Sequence, residues 1–393
     1  MPNDEITLET TPPVGELGII ALKSCEEIGE KVNAFLVDWR NKRADGVTIP
    51  ITLAGYKSDS YLISAKTPRF GSGEAKGRVD QSIRGIDLYI LVDVMNHGLT
   101  YTVCGKENHM SPDDHYADLK RIIAAVGGKA KRITVIMPFL YESRQHRRTA
   151  RESLDCAIAL QELVAMGVDN IITFDAHDPR VQNAIPIHGF ESVMPTYQFI
   201  KAIFKDTKDI KIDPEHLMII SPDEGGTSRA VYMASVLGVD MGMFYKRRDY
   251  SKIVDGRNPI VAHEFLGASV EGKDVIIVDD MISSGESMID VATELKMRKA
   301  NRIFVVSTFG LFTNGMAKFD KAVEDGIIYR VVTTNLTYQE PEVISRPYHL
   351  RADMSKYIAY IIDTLNHDCS ISSLLEPYDR IDKLVTKYRA EQK

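Results

Sequence analysis

DVIIVDDMISSGESM, residues 274–288, is the stretch from which the rest of the sequence is read. Val275–Val278 is an unbroken apolar run, the pattern of a parallel strand buried on both faces. It ends in Asp279 and Asp280, and small polar residues then lead into a segment of helical period at 287–298. Backbone N–H groups at such a helix start converge on an anion. Ser283, Ser284, Gly285 and Ser287 can therefore face a phosphate. The carboxylates of Asp279 and Asp280, one step earlier, can accept hydrogen bonds from adjacent sugar hydroxyls. One loop would grip both ends of a ribose 5-phosphate. The ordinary alternative is a solvated strand-to-helix turn with an acidic cap. A lone Asp-Asp would not exceed that alternative, but the whole run does.

Outward from this loop, short apolar runs recur at 87–94, 132–138, 170–175, 217–223, 241–246, 302–308 and 328–333. Segments of helical period lie between them, among them 151–166 and 226–237. The alternation predicts an α/β fold with open, mainly parallel sheets flanked by helices. Eight or more strands point to two sheets, with the Pro-containing stretch near 185–195 as the crossover. Residues 1–13 read as a loose arm. Residues 15–42 read as a helix, with Ile28, Val32, Phe35 and Trp39 as its apolar stripe. Packing on the body is the expected use of that stripe, and partner binding is the alternative.

At 393 residues the chain is long enough for two ordinary domains. A net charge of -7 argues against a nucleic-acid surface spread over the protein. The four cysteines, Cys25, Cys104, Cys156 and Cys369, form no CxxC pair, so reduced thiols are expected. No apolar run reaches membrane-span length, and the acidic start Met-Pro-Asn-Asp-Glu is unlike a signal or transit peptide. The expected location is the cytoplasm. Residues 96–118 are rich in His and Asp. Ser111-Pro112-Asp113-Asp114 reads as a helix cap, which accounts for the acids; His97, His109 and His115 leave a metal site as the alternative.

Further polar groups follow strands. They are Arg144, Gln145, Arg147 and Arg148 after 132–138, Asp175 and His177 after 170–174, Asp223 after 217–221, and Lys246, Arg247 and Arg248 after 241–245. Ligands of open parallel sheets bind beyond the carboxyl ends of the strands. Singly, His177 is an ordinary loop histidine and Lys246–Arg248 a solvated charge run. Together they suit a magnesium–polyphosphate substrate. No GxxxxGK[ST] loop is present, so any ATP is held by another route.

From about Arg69 to about Leu375 the chain resembles the ribose-phosphate pyrophosphokinases. The segments that carry the resemblance, in the family's order, are RFGSGEAKGRVDQSIRG, ESRQHRRTARES, FDAHDPRVQ, SPDEGGTSRA, YKRR and VDDMISSGES. The resemblance implies two similar phosphoribosyltransferase-type domains, at 51–190 on the ATP side and 191–368 on the ribose 5-phosphate side. Residues 1–50 would be an N-terminal extension with an amphipathic helix, and 369–393 a C-terminal segment packing back on the N-terminal domain. It implies transfer of diphosphate from ATP to the 1-hydroxyl of ribose 5-phosphate, with release of AMP. Carried over, Phe70 stacks on adenine and Glu74 binds its edge, reaching in from a neighbouring subunit. Arg144, Gln145 and His177 hold ATP, and His177 and Asp223 serve Mg2+. Lys246 and Arg248 are the catalytic cations, and Asp279, Asp280, Ser283, Ser284, Gly285 and Ser287 take ribose 5-phosphate. The implied assembly is a homo-oligomer, hexameric and built from dimers.

The sequence departs from the family pattern in several places. Ser72 stands for the Asp of the adenine turn, and His146 for the Asp after Arg-Gln. Glu286 adds a carboxylate to the phosphate loop. Two other readings compete. A regulatory paralogue is favoured by Ser72 and His146 and opposed by His177, Asp223, Lys246 and Arg248. A phosphoribosyltransferase would need the sugar-phosphate loop but neither Phe70–Glu74 nor Arg144–Gln145.

Overall fold

The computed structural model describes residues 11–45, 55–248 and 260–392, with the side chains of 246–263 outside the description. The chain divides into two units. The first contains residues up to 194, with 335–338 and 353–376; the second contains 195–334, 339–352 and 377 onward.

The first unit is built on a five-stranded sheet. Its order is Glu16–Ala21, Ile86–Leu91, Arg132–Ile136, Asn170–Phe174, Gly189–Val193. All neighbours are parallel. Ile86–Leu91 is buried at every position, as expected of a central parallel strand, and only Asp87 interrupts its apolar run. Helices Glu26–Ala44, Pro112–Val126, Asp155–Ala165 and Ser355–Asn366 belong to this unit.

Two expectations need correction here. Residues 15–42 are not one helix: Glu16–Ala21 is an edge strand and the helix starts at Glu26. Four consecutive buried residues, Leu17–Ile20, suit a strand and not the one-sided stripe of a helix. The helix buries Ile28, Val32 and Leu36, while Trp39 stacks on Tyr360 at 4.4 Å. Residues 185–195 are not only a crossover, because Gly189–Val193 closes the sheet edge before the chain enters the second unit. The arm expected at 1–13 lies largely outside the described residues.

Buried charge ties distant parts of this unit together. Arg40, 1% exposed, donates to Asp363 at 3.0 Å and to Asn366 at 2.6 Å. Asn366 donates to the buried Asp87, which Arg132 also grips with two nitrogens at 2.7 and 2.8 Å. Bidentate, desolvated pairs of this kind fix register, and breaking one leaves an uncompensated buried charge.

The second unit holds a seven-stranded sheet. Its order is Ile260–Leu266, Asp240–Arg248, Leu217–Ser221, Asp274–Ile282, Ile303–Gly310, Arg330–Thr334, His349–Ala352. Every pair is parallel except the first, which is antiparallel. One core layer lies under helices Glu286–Met297 and Ala317–Glu324; the other is covered by Thr196–Asp206, Thr227–Leu237 and Tyr378–Glu391. The C-terminal segment therefore does not pack back on the first unit as a whole. Residues 369–376 stay with it, but Ile381, Val385 and Tyr388 join the core of the second unit. The apolar stripe of the last helix matches that of Thr196–Asp206, and Tyr388 stacks on Phe204 at 4.1 Å.

Candidate active site

In the second unit, Asp274–Ile282 occupies the centre of the sheet and delivers Asp279 and Asp280 at its carboxyl end. Asp280 is buried, and its Oδ2 lies 3.9 Å from Arg229 on the neighbouring helix Thr227–Leu237. The Asp279 carboxyl is pushed well above the usual carboxylate range, first by burial and then by the charges of Asp280 and Asp223. Asp223 thus shares an electrostatic environment with the pair, although more than fifty positions separate them. Its Oδ1 accepts from the N–H of Gly225 at 2.9 Å and of Gly226 at 3.3 Å, an Asx-type turn that opens the helix.

The turn after Ile282 is shaped by Gly285. Its φ is +81°, and a Cβ there would lie 2.3 Å from a ring carbon of Phe319. Both conformation and space demand glycine. The helix Glu286–Met297 starts directly after it, with Ser287 in its first turn. N–H groups of a first turn have no acceptor inside the helix. Ser283, Ser284 and Ser287 flank them with hydroxyls, so the loop is a ready anion seat. The extra carboxylate, Glu286, is exposed and pairs with Lys318. That contact holds its charge in an outward ion pair and lowers its pKa.

Lys246 and Arg248 stand in the strand Asp240–Arg248, with Lys246 opposite His263; their side chains are outside the described residues.

In the first unit, Asn170–Phe174 ends in Asp175, which is buried at a φ of +41°. The next residues bring three groups together. Asp178 is gripped by Arg180 through two guanidinium nitrogens, which helps hold its carboxyl down at about 2. His146 Nε2 lies 3.5 Å from Asp178 Oδ2, and its ring centroid is 5.4 Å from that of His177. The loop after Arg132–Ile136 and the segment after Asn170–Phe174 therefore meet at His146. His146 Nδ1 is buried with no hydrogen-bond partner among the described residues, a costly state unless a ligand or water fills it. Gln145 is spent on its own loop, donating to the carbonyl of Ser153 at 2.8 Å. Arg144 is exposed.

Phe70 and Glu74 lie on a turn between the short strands Ala65–Lys66 and Arg78–Val79. Phe70 N–H donates to the Glu74 carbonyl at 2.7 Å, and Ser72 Oγ donates to Glu74 Oε2 at 2.9 Å. Phe70, Ser72 and Glu74 are all exposed. Ser72 thus orients the acid beside it.

The 96–118 stretch forms the hairpin Thr100–Val103/Lys106–His109 followed by a capping box between Ser111 and Asp114. Each imidazole meets a backbone carbonyl: His97 that of Met95, His109 that of His97, His115 that of Asn96.

The two units match known families in turn. Residues 17–167 match the N-terminal domain of ribose phosphate pyrophosphokinase, and residues 195–338 match the phosphoribosyl transferase domain. The chain belongs to the ribose-phosphate pyrophosphokinase family. A ribose-phosphate pyrophosphokinase from Vibrio cholerae is 28% identical over 336 residues, spanning 84% of this chain and 97% of the relative. One from Pasteurella multocida is 28% identical over 80% of this chain and 91% of its own length. The crystal structure of phosphoribosylpyrophosphate synthetase from Mycobacterium smegmatis shares the fold, with a TM-score of 0.70 and 21% identity over 90% of this chain and 99% of that one. The α/β class and the parallel sheets flanked by helices are those of this family. Among the described residues no helix is long and apolar enough to cross a membrane.

Arg229, Lys318 and Phe319 were not among the residues expected from the sequence. Arg229 lies within SPDEGGTSRA, and its burial beside Asp280 joins segments far apart in the chain. Nothing local marks Lys318 or Phe319.

Proposed function

We propose that the chain is a ribose-phosphate diphosphokinase, moving diphosphate from ATP to the 1-hydroxyl of ribose 5-phosphate and releasing AMP. The observation that carries this reading is the seat of the second unit: paired aspartates leading into a glycine-shaped helix start, with Asp223 in the same field. Asp279 and Asp280 accept from the ribose hydroxyls. Ser283, Ser284, Gly285 and Ser287 receive the 5-phosphate. Arg144, Gln145 and His177 serve the ATP side, with Phe70 and Glu74 on the base.

Mg2+ fits the donor set. The like charge of Asp280 and Asp223 felt at the buried Asp279 is of the kind that a nearby divalent cation relieves. Among the described residues no three His, Cys, Asp or Glu side chains are grouped to hold a metal ion alone. Magnesium is commonly held by one or two carboxylates plus substrate phosphates. His177 of the first unit and Asp223 of the second are, each taken by itself, the residues that would serve a magnesium ion arriving with ATP. When bound, it would neutralise charge on the polyphosphate.

The protein's own task is alignment and charge. The sugar hydroxyl must sit in line with the β-phosphorus, and charge spreading over the phosphoryl oxygens must be met by cations. Lys246 and Arg248 take that role. The protein acts in the cytoplasm as a homo-oligomer, dimer-based and hexameric, with ATP and ribose 5-phosphate as partners and neither nucleic acid nor membrane.

The test is phosphorus NMR of the protein with magnesium, ATP and ribose 5-phosphate. AMP and a new diphosphate ester are expected. Absence of both over a wide range of protein and phosphate concentrations would overturn the reading and favour a regulatory paralogue, to which Ser72 and His146 point. A product formed only from phosphoribosyl pyrophosphate and a base would instead favour a phosphoribosyltransferase.

A further inference from the structure

The turn that carries Phe70 and Glu74 stands on a short ribbon. Ala65–Lys66 pairs with Arg78–Val79, one further bridge joins Arg69 to Ala75, and Phe70 at the tip is 53% exposed. A two-stranded ribbon of this length is marginal by itself in water. Binding a nucleotide with loose groups would forfeit the benefit of preorganisation.

The hairpin Thr100–Val103/Lys106–His109 lies against this turn. It is no core element: Lys106–His109 is exposed throughout, and only Tyr101 and Val103 of the other strand are half-buried. Those two positions, and the backbone of Cys104 after them, meet the turn. The Arg69 guanidinium sits 4.8 Å from the centroid of the Tyr101 ring. Gly73, at φ +92°, packs so closely that a Cβ would fall 2.9 Å from Val103 Cγ2. Cys104 N–H donates to the Gly71 carbonyl at 2.8 Å. The hairpin is itself stiff, since Cys104 and Gly105 both have positive φ in the two-residue loop, as a type I′ turn requires.

The helix behind the hairpin extends the same support. Asp118 accepts from Arg69 at 2.9 Å and from Thr67 at 3.0 Å. Asp114 accepts from the Tyr101 hydroxyl at 3.1 Å. Asp113 accepts from the Tyr141 hydroxyl at 2.6 Å, and Tyr116 stacks on Tyr141 at 4.2 Å, three residues before Arg144. Asp118 thus ties the helix to the approach of the Phe70 turn, Asp114 ties it to the hairpin, and Asp113 ties it to the segment before Arg144.

We propose that the hairpin Thr100–His109 is a positioning element for the nucleotide donor, with Tyr101 and Val103 bracing the Phe70–Glu74 turn. It rests on the reading that Phe70 and Glu74 contact ATP. The hairpin raises affinity for ATP by holding the turn in its binding geometry, and it leaves the ribose 5-phosphate seat untouched.

The test compares three variants of the full chain by steady-state kinetics. In the first, Tyr101–Asn108 is replaced by Gly-Gly, which rejoins the paired Thr100 and His109. The second is Val103→Ala, and the third is Phe70→Ala. The shortened variant is expected to raise KM for ATP about tenfold while KM for ribose 5-phosphate stays put. Val103→Ala shifts KM for ATP in the same direction by a smaller factor. Equal loss toward both substrates, or no change in either, overturns the bracing role. If the shortened variant does not fold, Val103→Ala decides by the same split. If Phe70→Ala leaves KM for ATP unchanged, the assignment of the turn to ATP falls, and the proposal with it. If Phe70→Ala raises KM and Val103→Ala does not, only the bracing fails.

Discussion

Arg69 and Asp118 form an ion pair across 2.9 Å in which both side chains are largely buried, at 11% and 6% exposure. The other oxygen of Asp118 accepts from Arg121 at 2.7 Å. One carboxylate thus joins the turn before Phe70 to the helix Pro112–Val126. Removing one partner of such a pair leaves the other charge poorly solvated, at a cost of about 3–5 kcal/mol when burial is complete. Asp118→Ala should lower the thermal midpoint and raise KM for ATP together. Thermal denaturation and initial rates measure the two effects on the same preparation.

Gly285 offers a sharper test of the phosphate seat. Gly285→Ala places a methyl against Phe319 and strains a left-handed residue. Ribose 5-phosphate binding should be lost. Adding Phe319→Ala frees the space but not the backbone, so the double variant should recover only part of the affinity. Isothermal titration with ribose 5-phosphate reads both.

Lys318 balances the additional carboxylate of Glu286 beside the seat. Lys318→Ala should raise KM for ribose 5-phosphate a few-fold at low ionic strength, with little effect at high salt, because exposed charges are screened. Glu286→Ala should remove that sensitivity. Rates at two salt concentrations are enough to check it.

Asp93 makes stability depend on pH. It is buried and accepts from the N–H groups of Met95 and Tyr338, yet burial lifts its pKa from 3.8 to about 7. The folded protein therefore binds this proton more tightly than the unfolded chain does. The resulting stability is fully present below pH 3.8 and is lost as pH rises through about 7. The difference is at most about 4 kcal/mol. Asp93→Asn should flatten the slope of denaturation midpoint against pH between 5 and 8, urea unfolding being the measurement.

The central strands could be read directly because Val, Ile and Leu fill them on both faces, as in Ile86–Leu91 and Asp274–Ile282. The edges could not. Gly189–Val193 is half-buried at four of its five positions, and His349–Ala352 is only four residues long. Neither carries the apolar run that marks a buried strand. The proposed seat at 279–287 is legible because its groups are adjacent in sequence. The field of Asp223 on Asp279, the Phe319 ring under Gly285 and the brace on Gly73 all join distant segments. No local pattern encodes them.

The Arg40–Asp363 pair spans 323 positions, and Asn366 completes the shell around Arg40 and Asp87. On a ribosome, the helix Glu26–Ala44 and the parallel strands around Ile86–Leu91 emerge long before their partners do. Until Ser355–Asn366 is made, Arg40 has no Asp363, and Asp87 has no Asn366. The first unit is therefore begun at the start of synthesis and completed only near residue 376. A nascent chain stopped near residue 194 would keep Arg132 on Asp87 but leave Arg40 without its carboxylate, a state suited to chaperone capture rather than to independent existence.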